Sequence, residues 1–173
     1  MKLVFASDIH GSALWCQRLL EAFDREGAQK LVLVGDILYH GPRNPLPEGH
    51  DPKRVAELLN QRRESILCVR GNCDCEVDQV MLDFPVLADY ALIYADGVEM
   101  FVTHGHHWNK DSLPPHAAGS VLINGHFHIP EITQLGDMLY VNCGSVALPK
   151  GGSAHSYAVF EDGSFELRSL EQQ

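Results

Sequence analysis

The sequence contains no apolar run of the ~18 residues that a membrane-spanning helix needs, and no charged-then-apolar leader stands before its first strand-like segment. The apolar stretch Leu3–Ala6 is interrupted almost at once by Asp8, so it reads as a buried strand. A cytoplasmic protein is the expectation. Basic residues are scarce as well: 13 Lys and Arg stand against 23 Asp and Glu, a formal net charge of −10. No basic tract offsets that charge, which argues against long nucleic acid and anionic membranes as partners. A small phosphorylated substrate stays open, because bound divalent cations can reverse the local sign.

Cysteines are few and odd in number. Cys16, Cys68, Cys73, Cys75 and Cys143 do not suggest a disulfide framework. Cys16 and Cys68 sit among apolar residues and read as small core side chains. Cys73-x-Cys75 has no second cysteine pair, so it is a weak redox or metal signal; one thiol near a site and one incidental is the simpler reading. Internal repeats, low-complexity tracts and linkers are all missing. At 173 residues the chain fits one domain spanning 1–173.

The elements follow from periodicity and punctuation. Ser12–Arg25 carries Leu14, Trp15, Leu19, Ala22 and Phe23 at helical spacing, and Gly27 suits the helix end. Leu31–Val34 is a second buried strand, halted by Gly35-Asp36. Tyr39–His50 holds three prolines and two glycines and reads as a loop. Asp51-Pro52 opens a second helix expected to run to about Arg63, and Ile66–Val69 is a third strand. In the second half, Ala91–Tyr94 and Glu99–Thr103 flank Asp96-Gly97, a hairpin signal. Similar pairs surround Gly136-Asp137 and Asp162-Gly163. A βαβαβ half followed by mainly antiparallel hairpins implies an α/β sandwich of two packed mixed β-sheets flanked by helices.

Each buried strand stops at a polar cluster. Asp8-x-His10 follows the first, Gly35-Asp36 the second, and Gly71-Asn72-Cys73-Asp74 the third. Thr103-His104-Gly105-His106 and Asn124-Gly125-His126-Phe127-His128 come later. Beyond the carboxyl ends of parallel strands such clusters can converge, and the neighbouring glycines permit tight turns and close approach. Carboxylate, amide oxygen and imidazole together suit borderline divalent ions such as Mn, Fe, Co, Ni or Zn. The set is too rich in nitrogen for calcium and too poor in thiolate for a structural zinc finger. Two such ions ~3.5–4 Å apart can clamp both oxygens of an in-line displacement at phosphorus.

These five blocks, with Gly41-Pro42-Arg43-Asn44 and Asn142-Cys143-Gly144-Ser145, make the chain resemble the calcineurin-like metallophosphoesterase superfamily over nearly its whole length. It is most similar to the small YfcE-like bacterial phosphodiesterases. The resemblance implies two divalent cations per chain, with Mn2+ foremost. One would take Asp8, His10, Asp36 and His128; the other would take Asp36, Asn72, His104 and His126, with Asp36 bridging. It implies a bridging hydroxide as nucleophile on a small phosphodiester, and a homo-oligomer. Arg43, Asn72 and His106 are the expected substrate contacts; Arg43 could instead only brace its proline-rich loop.

One departure matters. Much of the superfamily carries His, thought to protonate the leaving group, where this chain has Cys73, a change shared by the YfcE-like branch. A thiol is a weak donor, so His106, His107 or His40 are the alternatives. His50, His116 and His155 read as solvated, and Trp108 either lines the site mouth or packs its loop. A phosphomonoesterase is disfavoured by the missing histidine. A non-catalytic scaffold on the same fold, like the metallophosphoesterase-like subunit of the retromer complex, could lose metal-binding histidines. Here all seven expected ligand positions are filled.

Overall fold

The computed structural model describes residues 1–171; Gln172 and Gln173, the end of the expected 1–173 domain, lie outside the described residues. The first half alternates β1 (Leu3–Ala6), α1 (Ala13–Glu26), β2 (Lys30–Leu33), α2 (Pro52–Asn60), β3 (Ile66–Cys68) and a short α3 (Glu76–Met81). The second half is all strand: β4 (Ala91–Ala95), β5 (Val98–Val102), β6 (Val121–Asn124), β7 (Pro130–Leu135), β8 (Met138–Cys143), β9 (Ser156–Glu161) and β10 (Ser164–Ser169). Two five-stranded sheets result, in the orders β10-β9-β1-β2-β3 and β4-β5-β6-β8-β7.

Local chemistry sets the helix ends. Ser12 caps α1 by accepting from the Trp15 amide, and Gly27 ends it in the left-handed conformation. Asp51 caps α2 by accepting from the Arg54 amide, with Pro52 in the first turn. This helix stops at Asn60 rather than Arg63, because its buried face ends at Leu59 and Arg62, Arg63 and Glu64 are exposed. The sequence reading missed α3. Val77, Val80 and Met81 are all exposed, so no apolar face announces it, and its start is tied by the Asp78 carboxylate accepting from the Cys75 amide.

β1 is buried on both faces. Leu3 and Phe5 join Val32, Met100, Val102, Ile123, Val141 and Phe160 between the sheets. Val4 and Ala6 join Leu31, Leu33, Leu19, Val55 and Leu59 beneath α1 and α2. Strands covered on both sides read as unbroken apolar runs. All three expected hairpins form, with Asp96-Gly97 and Asp162-Gly163 in the left-handed turn conformation. The second sheet nonetheless has a parallel centre, because β5, β6 and β8 run alike. The hairpin signals concern only neighbours along the chain, so they could not reveal it. Its consequence is functional: β1, β2 and β3 run parallel in one sheet as β5, β6 and β8 do in the other.

Candidate metal centre

The chain leaves these parallel strands in loops under evident backbone constraint. Among the described residues, seven non-glycine positions have positive φ. Asp96 and Asp162 are the hairpin turns; the other five are Asp8, His10, Asp36, His126 and His128. Left-handed backbone costs an ordinary residue of order 1 kcal/mol or more and persists where surroundings over-determine it. Five such residues fall on candidate ligands in loops from both sheets. Packing is as tight as the angles suggest: a Cβ on Gly71 would overlap the Asp36 carboxylate, and one on Gly125 would overlap the Ser7 hydroxyl.

Two donor groups converge. In the first, Asp8 Oδ1 lies 3.3 Å from His10 Nε2 and 3.1 Å from His128 Nε2. In the second, His104 Nε2 lies 3.3 Å from Asp36 Oδ2 and 3.2 Å from Asn72 Oδ1. Asp36 Oδ2 is also 3.7 Å from His10 Nε2, so it stands between the groups. The remaining carboxylate oxygens are occupied, since Asp36 Oδ1 accepts from the Cys73 amide and Asp8 Oδ2 from the His126 amide. Each carboxylate thus turns its other oxygen toward the inward-facing histidines.

The imidazoles are oriented in the same way. His10, His104 and His128 each set Nδ1 against a backbone carbonyl, of Tyr39, Val34 and Leu148, at 2.6–2.8 Å. Donation from Nδ1 leaves the Nε2 lone pair facing inward, the arrangement typical of metal-ligating histidine. Asp8 Oδ1 and His10 Nε2 are buried and have no hydrogen-bond partner. Such orphaned atoms are costly unless something binds them. A divalent cation fits both the orphaned donors and the mixed O/N set. Without cations, protons must balance the carboxylates: burial opposes a charge on His104, but its bond to Asp36 and the charges of Asp8 and Asp36 push it up to about 9. A cation entering here displaces a proton.

His126 lies beside the second group, its ring 5.1 Å from that of His104. It lines a cleft of about 430 Å³ with Asp36, Arg43, Asn72, Cys73, Phe127 and Lys150. Arg43 and Cys73 therefore reach the site. His106 does not line this cleft. Its ring packs against His104, His107 and His126, and burial with those neighbouring rings pushes it down to about 4, so it is neutral near pH 7. His40 and His107 line other cavities, and Trp108 lies with His107. His155 is half-buried and stacked 3.4 Å from Trp15, not solvated, because its Nδ1 bonds the Val146 carbonyl. His116 is exposed beside Asp137.

Two contributors were missed at the sequence level. Lys150 reaches the cleft from the turn after β8, a placement that no local pattern signals. Asp74 is 2 % exposed, and its carboxylate accepts from the amides of Asp36, Ile37 and Gly71 at 2.7–2.9 Å. It ties the β2 exit loop to the β3 exit loop. An Asn here would leave one of those amides facing an NH2 group, at a cost of about 1–3 kcal/mol. Asp74→Asn is therefore expected to lower Tm by roughly 2–10 °C and metal affinity by about 10–100-fold, as read by thermal melts and metal titration. Asn142 and Ser145 brace the opposite side, donating to the carbonyls of Gly125 and Asp8.

Two mixed sheets whose parallel strands open onto a paired Asp/His/Asn centre define the metallophosphoesterase class. The model of the calcineurin-like phosphoesterase superfamily domain matches residues 1–163, and the chain belongs to that superfamily. It is 46% identical to phosphodiesterase YfcE of Escherichia coli (strain K12) over 173 residues, covering 100% of this chain and 94% of that protein. The solved structure of YfcE, a phosphoesterase from E. coli, matches with a TM-score of 0.97 at 45% identity, covering 100% and 95% of the two chains. Vps29 from Cryptosporidium parvum matches with a TM-score of 0.60 at 14% identity over 96% and 95%, a likeness of fold alone.

Proposed function

We propose that this chain is a metal-dependent phosphodiesterase acting on a small diester, with the chain working as one domain. The observation that carries this reading is the inward turn of Asp8, His10, Asp36, Asn72, His104 and His128 around buried, unpartnered donor atoms. Asp8, His10, His128 and Asp36 would hold one cation; Asp36, Asn72, His104 and His126 would hold the other, with Asp36 Oδ2 shared. When bound, the cations supply Lewis acidity that activates water and neutralises charge at phosphorus. Mn2+ suits this thiolate-free O/N set. The filled ligand positions favour an enzyme over a scaffold.

The protein's own groups do the rest. Arg43 and Lys150 line the cleft and have no acidic partner among the described residues, so both are available to a phosphoryl oxygen. The Asn72 side chain turns its oxygen inward and its NH2 group toward Cys73. Without cations, burial and the nearby Asp36 charge push the Cys73 thiol up to about 12, and a thiol is in any case a weak hydrogen-bond donor. Neutral His106 can offer one hydrogen bond but is a poor store of a proton. Diesters with easily departing groups, such as aryl esters, are the favoured substrates.

Five free thiols among the described residues fit a reducing cytoplasm. The exposed side chains Leu92 and Tyr94 on edge strand β4 favour a second copy of the chain as partner. Chelation is expected to abolish hydrolysis of an aryl phosphodiester, and Mn2+ to restore it. Metal at a hundred times its Kd adds about 2.7 kcal/mol of stability, a rise in Tm of about 5–10 °C for a chain of this size. Full activity in protein shown to be metal-free would refute the proposal.

A further inference from the structure

We propose that Cys73 gives this centre an alternative cradle for thiophilic cations, in which Zn2+ or a similar ion is held by His10, Asp36 and Cys73 instead of the oxygen and nitrogen set alone. The inference rests on the two-metal reading above and concerns which ions that centre captures. The three donor atoms lie within 4.8 Å of one another. His10 is fully buried, its Nε2 has no hydrogen-bond partner, and its Nδ1 is committed to the Tyr39 carbonyl, so its free lone pair can only point inward. Asp36 Oδ1 is taken by the Cys73 amide, while Oδ2 faces His10 Nε2 and His104 Nε2. The same amide bond anchors the Cys73 backbone on Asp36 and keeps the thiol at the centre.

Little holds the sulfur away. Its polar side-chain contacts are the Asn72 amide at 3.3 Å, a weak bond for a thiol, and the Asp36 carboxylate that belongs to the same cradle. On the other side lies Gly41, where a Cβ would stand 3.2 Å from the sulfur. A tetrahedral zinc ion sets its nitrogen and sulfur ligands roughly 3.5 Å apart, a distance that a half-buried side chain at the cleft wall can close. Softness then decides between ions. Thiolate strengthens binding of zinc and cobalt far more than that of manganese. Capture breaks the S–H bond, forms the sulfur–metal bond and releases one proton to solvent, with no oxidant or reductant.

The test uses Co2+, whose visible bands report occupancy and whose near-ultraviolet sulfur-to-metal band reports thiolate ligation. The metal-free full chain carries Cys75→Ser, to remove the exposed thiol. The expected result is both sets of bands in this protein, with the ultraviolet band alone lost when Cys73→Ser is added. Zn2+ affinity should fall at least about tenfold with Cys73→Ser, no less than the loss of an outer partner costs, while Mn2+ affinity should change by under about twofold. Visible bands without a Cys73-dependent ultraviolet band would overturn the proposal and leave the two-metal reading standing. No cobalt bands of either kind would overturn both.

Discussion

Asp36→Asn is expected to reduce turnover at saturating metal at least about a hundredfold, because it removes the charge shared by both cations, which is worth several kcal/mol. The geometry separates this loss from misfolding. An Asn can keep its oxygen on the Cys73 amide, as Asp36 Oδ1 does now. Its NH2 group then stands where Oδ2 faces His10 Nε2 and His104 Nε2. A donor replaces a lone pair at the one point common to both groups. The metal-free variant should still fold but melt lower than the metal-free parent, because the buried His104 imidazolium loses its Asp36 partner, so turnover is compared at saturating metal in protein shown to be folded. The stabilisation on adding Mn2+ should shrink or vanish. Turnover above a tenth of the parent's, with metal saturating, would count against the bridging role.

Replacing Cys73 with His should change the substrate range more than the rate on easy substrates. The position lines the cleft, and a thiol is too weak a hydrogen-bond donor to assist a departing oxygen well. An imidazole titrates near neutral pH, and general-acid help contributes roughly 10²–10⁴-fold where the leaving group needs a proton. The gain should therefore fall on alkyl and nucleoside esters and on monoesters, with aryl diesters almost unaffected. The ratio of the two rates within one protein cancels losses in stability or loading. An unchanged ratio in a fully metal-loaded variant would remove Cys73 from the leaving-group side. His106→Ala would then be the next variant to compare, although its ring lies outside the cleft lining.

Much of the site was legible because each short apolar strand stops at its polar cluster. Asp8-x-His10, Asp36, Asn72, His104 and the His126–His128 pair all lie within a few residues of a strand end, and the strands run parallel there. The resemblance supplied the assignment of those residues to two ions. What stayed hidden depends on contacts far apart in the chain. Asp74 reads as one more acid in a turn until the amides of Asp36 and Ile37 meet its carboxylate from across the sheet. Lys150 needs the β8 exit to fold back toward the cleft. The parallel run of β5, β6 and β8 is likewise a matter of non-local pairing, which hairpin signals cannot carry. His155 looked solvated because polar neighbours in sequence say nothing of Trp15, which stacks on it.

The pair of cations is the centre of this account, and counting them tests it most directly. Metal-free protein loaded with excess Mn2+ and freed of loosely held ion should contain two Mn per chain by elemental analysis. Anomalous scattering from crystals of that protein should place them on either side of Asp36 Oδ2, one beside Asp8, His10 and His128 and the other beside Asn72, His104 and His126. A single ion, or none, in folded protein at saturating Mn2+ would contradict the account.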